Sequence, residues 1–334
     1  MASNADVKTE TVSYASSVDG TQPLYADIAF VPTRQKKPLV VVMHGYNGSK
    51  ADVAHDIREL SQKGVVAIAP DMRGAGASAG KFDSGGIEVH DILDAVLFVV
   101  RRYPAEIDAR NLNVVGYSGG GGNAISCAVR FPDVFRTCVS FFGISDYAAW
   151  NKSKGRPDCN VRMEAAIGTI ATQPDAYAAR NANAAAGNVC VTKMHFFWDE
   201  NETQCPPNMI RQFIEANKAA GRQNCIAHVS TAKDTHRWLH GYRSGIPSLS
   251  DADAMFLRDM LAPVNASPRL PPRGTLVING YLVTRHFSVW MGDGQKGSIK
   301  VAYDISDASP VVTVIENPKN YDVRITASPL TDLP

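Results

Sequence analysis

The sequence predicts an α/β fold: a doubly wound, mostly parallel sheet followed by a small β-rich module. Three observations point there. Short, near-continuous apolar runs alternate with amphipathic helical patterns from about residue 26 to about residue 262. Runs that are apolar throughout belong to strands covered on both faces, the mark of a parallel sheet between helices. After residue 273 the pattern changes to period-two alternation broken by turn residues, as in a small antiparallel sheet.

Taken in order, "PLVVVMHG" and "GVVAIAPD" read as buried strands, and "EVHDILDAVLFVVRRY" is the clearest amphipathic helix. "NLNVVGYS", "TCVSFFGIS", "VTKMHFFWD" and "CIAHVST" continue the strands, with a helix predicted over "PPNMIRQFIEANKAAGRQ". Residues 150–190 form a lid-like insertion between two strands. Residues 263–273, "PVNASPRLPPR", are proline-rich and polar and read as a linker. The expected organisation is an α/β domain over 1–262, the linker, and a module over 274–334 containing "GTLVING", "HFSVWMGD", "GSIKVAYDIS", "PVVTVIE" and "YDVRITASP". In that module His286, Phe287 and Trp290 read as parts of a structural cap, with carbohydrate or polymer docking the alternative.

Composition narrows the function. The 334 residues are 45% hydrophobic and 20% charged, with a net charge of +1. No long basic block points to nucleic acid, and no apolar run reaches the roughly 18 residues of a membrane span. The six cysteines form no CxxC pair or zinc-ligand spacing, so no metal site is expected, and the serine chemistry implied below needs no organic cofactor. Several cysteines lie in or beside polar connecting segments. Disulfides linking Cys205 to Cys225 and Cys159 to Cys190, in an exported protein whose leader has been removed, are therefore expected over reduced thiols in a cytosolic one. "GAGASA" at 74–79 fits a dinucleotide-binding fingerprint, but the acidic residues that follow (Glu88, Asp91 and Asp94) fall inside a helix, not at a strand end.

Chemistry concentrates at Gly116-Tyr117-Ser118-Gly119-Gly120, a G-x-S-x-G sequence between a buried strand and a helix-forming run. A strand that turns sharply into a helix leaves its serine at the tip in a strained conformation, with small residues two before and two after it avoiding a clash. Gly121 and Gly122 are not required by that turn; close helix packing is one use for them.

Over roughly residues 12–262 the chain resembles the α/β-hydrolase fold family, nearest to its serine esterase and prolyl-oligopeptidase-like branches. "MHGYNGS" is similar to the family's oxyanion turn, and "PDMRGAGAS" to its D-x-R-G-x-G-x-S loop. "RFPDVFRTCVSFFGISD" and "AAIGTIATQPDAYAARNA" are similar to segments that follow the nucleophile. The resemblance implies Ser118 as nucleophile and the backbone N–H groups of Tyr46 and Gly119 as oxyanion donors, with His44 bracing the turn. It implies a base in "KDTHRWLHG": His236, on the likeness to H-x-W after the base, with His240 as alternative. His195 and His228, within apolar strands, read as core residues. The acid is Glu202 if Pro206 sets the alignment, and Asp199 if the strand end does. Trp150 and Trp198, with Tyr147, are candidate walls for the substrate.

The activity implied is hydrolysis of a small or polymeric carboxylic ester through an acyl-enzyme. The alternatives are a peptidase of the prolyl-oligopeptidase type and, from another class, a non-catalytic binding protein. The ester is preferred because that peptidase branch normally carries a large N-terminal propeller, while only about 25 residues precede the sheet here. The sequence does not specify an oligomeric state.

Overall fold

The computed structural model describes residues 6–240, 252–327, 329–330 and 333. Eight strands make the main sheet: β1 (Lys8–Tyr14), β2 (Leu24–Phe30), β3 (Lys37–Met43), β4 (Val66–Pro70), β5 (Ile107–Tyr117), β6 (Thr137–Phe141), β7 (Lys193–Asp199) and β8 (Cys225–Ser230). Their order is β1-β2-β4-β3-β5-β6-β7-β8. From β4 to β8 every pairing is parallel, while β1 and β2 add an antiparallel edge. The helices are α1 (Ala54–Gln62), α2 (Glu88–Arg102), α3 (Gly119–Arg130), α4 (Tyr147–Ser153), α5 (Pro157–Ile167), α6 (Pro174–Ala178), α7 (Asn208–Ala219) and α8 (Asp253–Leu261).

Both faces of the sheet are covered, and the period of two shows how. On β3, Leu39, Val41 and Met43 enter one apolar cluster with Val96 of α2, Ile125 of α3 and Phe213 of α7. Val40 and Val42 enter the opposite one with Leu60 of α1 and Phe256 of α8. This double burial is why the strands read as unbroken apolar runs. Two elements depart from the expected pattern. The sheet begins at β1, well before residue 26, and β1 buries only part of itself. β8 is the far edge strand, with Ala227 and Val229 exposed.

The insertion after β6 folds as α4, α5, α6 and a 3-10 turn at Ala182–Asn188. The C-terminal segments form a second, six-stranded antiparallel sheet. Its strands are β9 (Arg273–Asn279), β10 (Tyr281–Val283), β11 (Phe287–Met291), β12 (Ser298–Asp304), β13 (Val311–Glu316) and β14 (Val323–Ala327), in the order β13-β12-β9-β10-β11-β14. The three-residue β10 is too short to leave a period-two signature in the sequence. This sheet is bound to the rest of the molecule by polar contacts: Asn188 Nδ2 donates to Val277 O at 2.7 Å, and Arg285 Nε donates to Asp133 O at 2.9 Å.

Candidate active site

Ser118 stands between the end of β5 and the first turn of α3, with φ 54° and ψ −118°. A non-glycine residue there costs about 1–3 kcal/mol and persists only where its surroundings hold it. The hold is visible. Ser118 N–H donates to Phe141 O on β6, and Ser118 O accepts from Gly122 N–H, each at 2.9 Å. The glycines leave no room for side chains: a Cβ on Gly116 would lie 2.1 Å from Gly120 O, and one on Gly120 would lie 2.3 Å from His44 O. Gly121 and Gly122 are confined less tightly, 2.9 Å from Phe141 O and 2.7 Å from Ile144 O, so these glycines also serve close backbone approach.

The turn after β3 meets this elbow. A Cβ on Gly119 would lie 2.8 Å from Tyr46 Cα and 3.0 Å from Tyr46 N, so the two backbones are in contact. Among the described residues neither N–H is spent on a backbone carbonyl. His44, buried, braces the turn, its Nδ1 2.8 Å from Gly45 O and its Nε2 accepting from Met72 N–H at 3.3 Å. Burial lowers its pKa, so it is neutral, with the proton on Nδ1.

Of the two candidate bases, the described structure brings the alternative, His240, to the Ser118 cavity. His236 lies in the exposed stretch 231–236 and does not line that cavity. The chain re-enters the core at the next two residues. Arg237 forks onto Asp199 at 2.7 and 2.8 Å, and Trp238, buried against Phe197, donates its N–H to Ser230 Oγ at 2.9 Å. That anchorage delivers His240 instead. Its ring lies 4.3 Å from that of Phe142, its N–H donates to Glu202 Oε2 at 2.7 Å, and its Nδ1 is 3.1 Å from Glu202 Oε1. The Nδ1 contact is an ion-pair distance without hydrogen-bond alignment, and Nε2 is sealed from solvent with no hydrogen-bond partner among the described residues. Ser118 and His240 line one cavity of about 460 Å³, together with Tyr46, Tyr117 and Arg156.

The two carboxylates have different work. Glu202 also accepts from Gln204 N–H at 2.6 Å and Cys205 N–H at 3.1 Å. Burial pushes its pKa up, but the pairing with His240 and these N–H groups outweigh burial and hold it below the usual range. Asp199, fully buried, is committed to Arg237, Ser230 Oγ and Asn201 N–H. Burial again opposes ionisation, yet the Arg237 fork and the other donors bring its pKa down to about 2.

Three further expectations change. Trp198 does not wall the cavity: sharing a β7 face with Phe196, it packs toward α7. Trp150 is also core, 5.1 Å from the ring of Tyr46, with Nε1 donating to Gln204 O at 2.8 Å. Tyr147 joins it there. All six cysteines are free. Cys205 and Cys225 flank the 12-residue α7, which is roughly 18 Å long at 1.5 Å per residue, beyond the ~4.4–6.8 Å that a bridge permits between Cα atoms. Cys159 packs in the Ser118-side cluster and Cys190 against the C-terminal sheet. Cys205 Sγ lies 3.7 Å from Ser118 Oγ, a neighbour the sequence reading did not anticipate. Alkylation of the denatured, unreduced protein is expected to modify all six thiols; recovery of any bridged pair would contradict this arrangement. His195 and His228 are core residues as expected, Nδ1 to Nε2 3.0 Å apart. Among the described residues no helix is long and apolar enough to cross a membrane, and no cluster of His, Cys, Asp or Glu has the makings of a metal site.

The comparisons agree with this frame. The model of the prolyl oligopeptidase family matches residues 51–234, more than half of the chain. "Dipeptidyl peptidase family member 1" of Caenorhabditis elegans is 29% identical over 158 residues, covering 42% of this chain and 20% of that protein. Among solved structures, the Pyrococcus horikoshii acylaminoacyl peptidase aligns with a TM-score of 0.59 at 18% identity, over 71% of this chain and 38% of that one. An acetyl xylan esterase from Paenibacillus sp. R4 aligns with a TM-score of 0.55 at 16% identity, over 79% of this chain and 86% of that one. Likeness at such low identity concerns the fold, and the chain spans less than half the length of both peptidase relatives. With the strand order, the serine elbow and the family match on one chain, the protein belongs to the prolyl oligopeptidase family of α/β-hydrolase-fold serine hydrolases.

Proposed function

We propose that this serine hydrolase cleaves carboxylic esters with Ser118 as nucleophile, His240 as base and Glu202 as acid. One observation carries the reading: the His240 ring stands with Nδ1 3.1 Å from the buried Glu202 carboxylate, in a cavity shared with the strained serine. His240 Nε2 takes the Ser118 proton as Oγ attacks the substrate carbonyl. The tetrahedral oxygen is received by the N–H groups of Tyr46 and Gly119, aided by the N-terminus of α3. Collapse expels the alcohol, which leaves with the proton from His240, and Ser118 is acylated. Water, deprotonated by His240, then attacks the acyl-enzyme, releasing the acid and restoring Ser118. Glu202 fixes the imidazole and stabilises its positive charge, as the carboxylate does in other serine triads. Ser118 and His240 share no hydrogen bond in the free protein; such bonds often tighten only when substrate is present.

The ester reading is compatible with the acetyl xylan esterase, whose fold corresponds over most of both chains. Peptide hydrolysis is the second reading, favoured by the family and by the two peptidase relatives. Para-nitrophenyl esters from acetyl to octanoyl, assayed beside aminoacyl para-nitroanilides, separate the two. Turnover of esters with little or none of the anilides is expected. Faster anilide cleavage would establish the peptidase reading, and inertness toward both would favour a binding protein.

A further inference from the structure

A second cavity of about 760 Å³ lies away from Ser118, between α2 and the C-terminal sheet, and shares no lining residue with the Ser118 cavity. One wall is a face of α2 carrying Ile87, His90, Asp94, Leu97 and Arg101, at the spacing of a single helical stripe. The other is a face of β11 and β14, where Trp290 and Arg324 stand directly opposite each other in the ladder. Its size is within the roughly 300–1,000 Å³ usual for small-molecule sites.

We infer that this cavity is a binding site for a neutral carbohydrate, a short oligosaccharide segment. Three carboxylates (Asp19, Asp94 and Asp293) and three guanidiniums (Arg73, Arg101 and Arg324) line it, Asp19 and Arg73 already paired at 2.8 Å, so the charges balance and the cavity selects neither a cation nor an anion. What it offers is a dense set of planar donors and acceptors, and neutral polyhydroxylated molecules use both. Several are fixed in advance. Asp94 accepts from Ser17 N–H at 2.9 Å and Ser17 Oγ at 2.7 Å, and Arg73 forks onto Asp91 at 2.6 and 2.8 Å. Asp293 Oδ1 is oriented by Gln295 N–H at 3.0 Å.

The aromatic wall is held as firmly. Trp290 stacks on Tyr281 with centroids 4.6 Å apart and planes 11° apart, and Tyr281 rests on the Arg130 guanidinium, 4.6 Å away. His90 lies 5.4 Å from Trp290. A braced, half-buried indole beside paired carboxylates and guanidiniums suits a pyranose ring, which presents an apolar C–H face and a rim of hydroxyls. Such a site would hold a sugar chain on the same molecule as the hydrolytic centre without taking part in the chemistry.

Isothermal titration of the full chain with xylotriose, cellotriose, maltotriose and laminaritriose tests the inference. Saturable binding of at least one trisaccharide is expected, accompanied by a change in tryptophan fluorescence. Trp290→Ala should weaken it about tenfold or more. Because that change removes a stacking partner of Tyr281, Arg324→Gln provides a second variant with less structural risk and should also weaken binding. Both should retain wild-type turnover of para-nitrophenyl acetate, while Ser118→Ala should bind the sugar unchanged, so failure here is distinguishable from failure of the hydrolase reading. No binding of any trisaccharide, or unchanged affinity in both cavity variants, would overturn the inference.

Discussion

Ser118→Ala is expected to lower kcat on activated esters by about 10⁶, the loss typical when a triad nucleophile is removed. No other hydroxyl takes its place: the neighbour of Ser118 Oγ is Cys205 Sγ, a thiol whose pKa burial pushes well up, leaving it protonated and a poor nucleophile. The fold should survive. Serine pays for a positive φ that alanine must also adopt, and the backbone bonds to Phe141 and Gly122 do not involve the hydroxyl. An unchanged melting temperature with abolished turnover is the expected pair of results. Retention of substantial activity would remove Ser118 from the mechanism.

Glu202→Gln should lower kcat by about 10⁴ with a modest change in KM, because its carboxylate acts on the imidazolium formed in the transition state. Asp199→Asn should behave differently. It weakens the fork with Arg237 that anchors the loop leading to His240, so stability is expected to fall while turnover per folded molecule stays within about tenfold. The pH dependence of stability carries the same signature. The folded-state pKa of Asp199 is depressed from 3.8 to about 2, so the stability it contributes is fully present above about pH 4. That contribution disappears as pH falls through about 2, and the Asp199→Asn variant should lack this part of the acid transition. If Asp199→Asn is the inactive variant and Glu202→Gln the active one, the roles are reversed.

How much of this was legible in the sequence follows from how local each feature is. Strands β3 to β7 could be read because burial on both faces makes their central positions mostly apolar. β1 could not, because "KTETVSY" belongs to a half-exposed edge and resembles a polar loop. The serine elbow was legible because its glycines are dictated by contacts within a few residues or with the adjoining turn. The base was not. His236 and His240 lie in the same aperiodic loop, and the choice is made by Arg237 reaching Asp199 and by Trp238 reaching Ser230, contacts across the sheet edge that no spacing encodes. Trp238, read as a marker just after the base, is instead the buried anchor two residues before His240. The cysteines misled in the opposite way. Bracketing a helix in sequence suggests proximity, whereas the helix itself keeps Cys205 and Cys225 apart. Trp198 was misplaced by one step of strand parity, since the position beside Asp199 faces α7 and not the cavity.

The central claim is that Ser118, His240 and Glu202 act as one unit. Labelling by a fluorophosphonate tests it most directly, because the reagent reports activation of the serine independently of any substrate preference. The account predicts labelling of His236→Gln at the wild-type rate and almost none of His240→Gln, with both variants folded. Rapid labelling of His240→Gln alongside an inert His236→Gln would contradict it and return the base to His236.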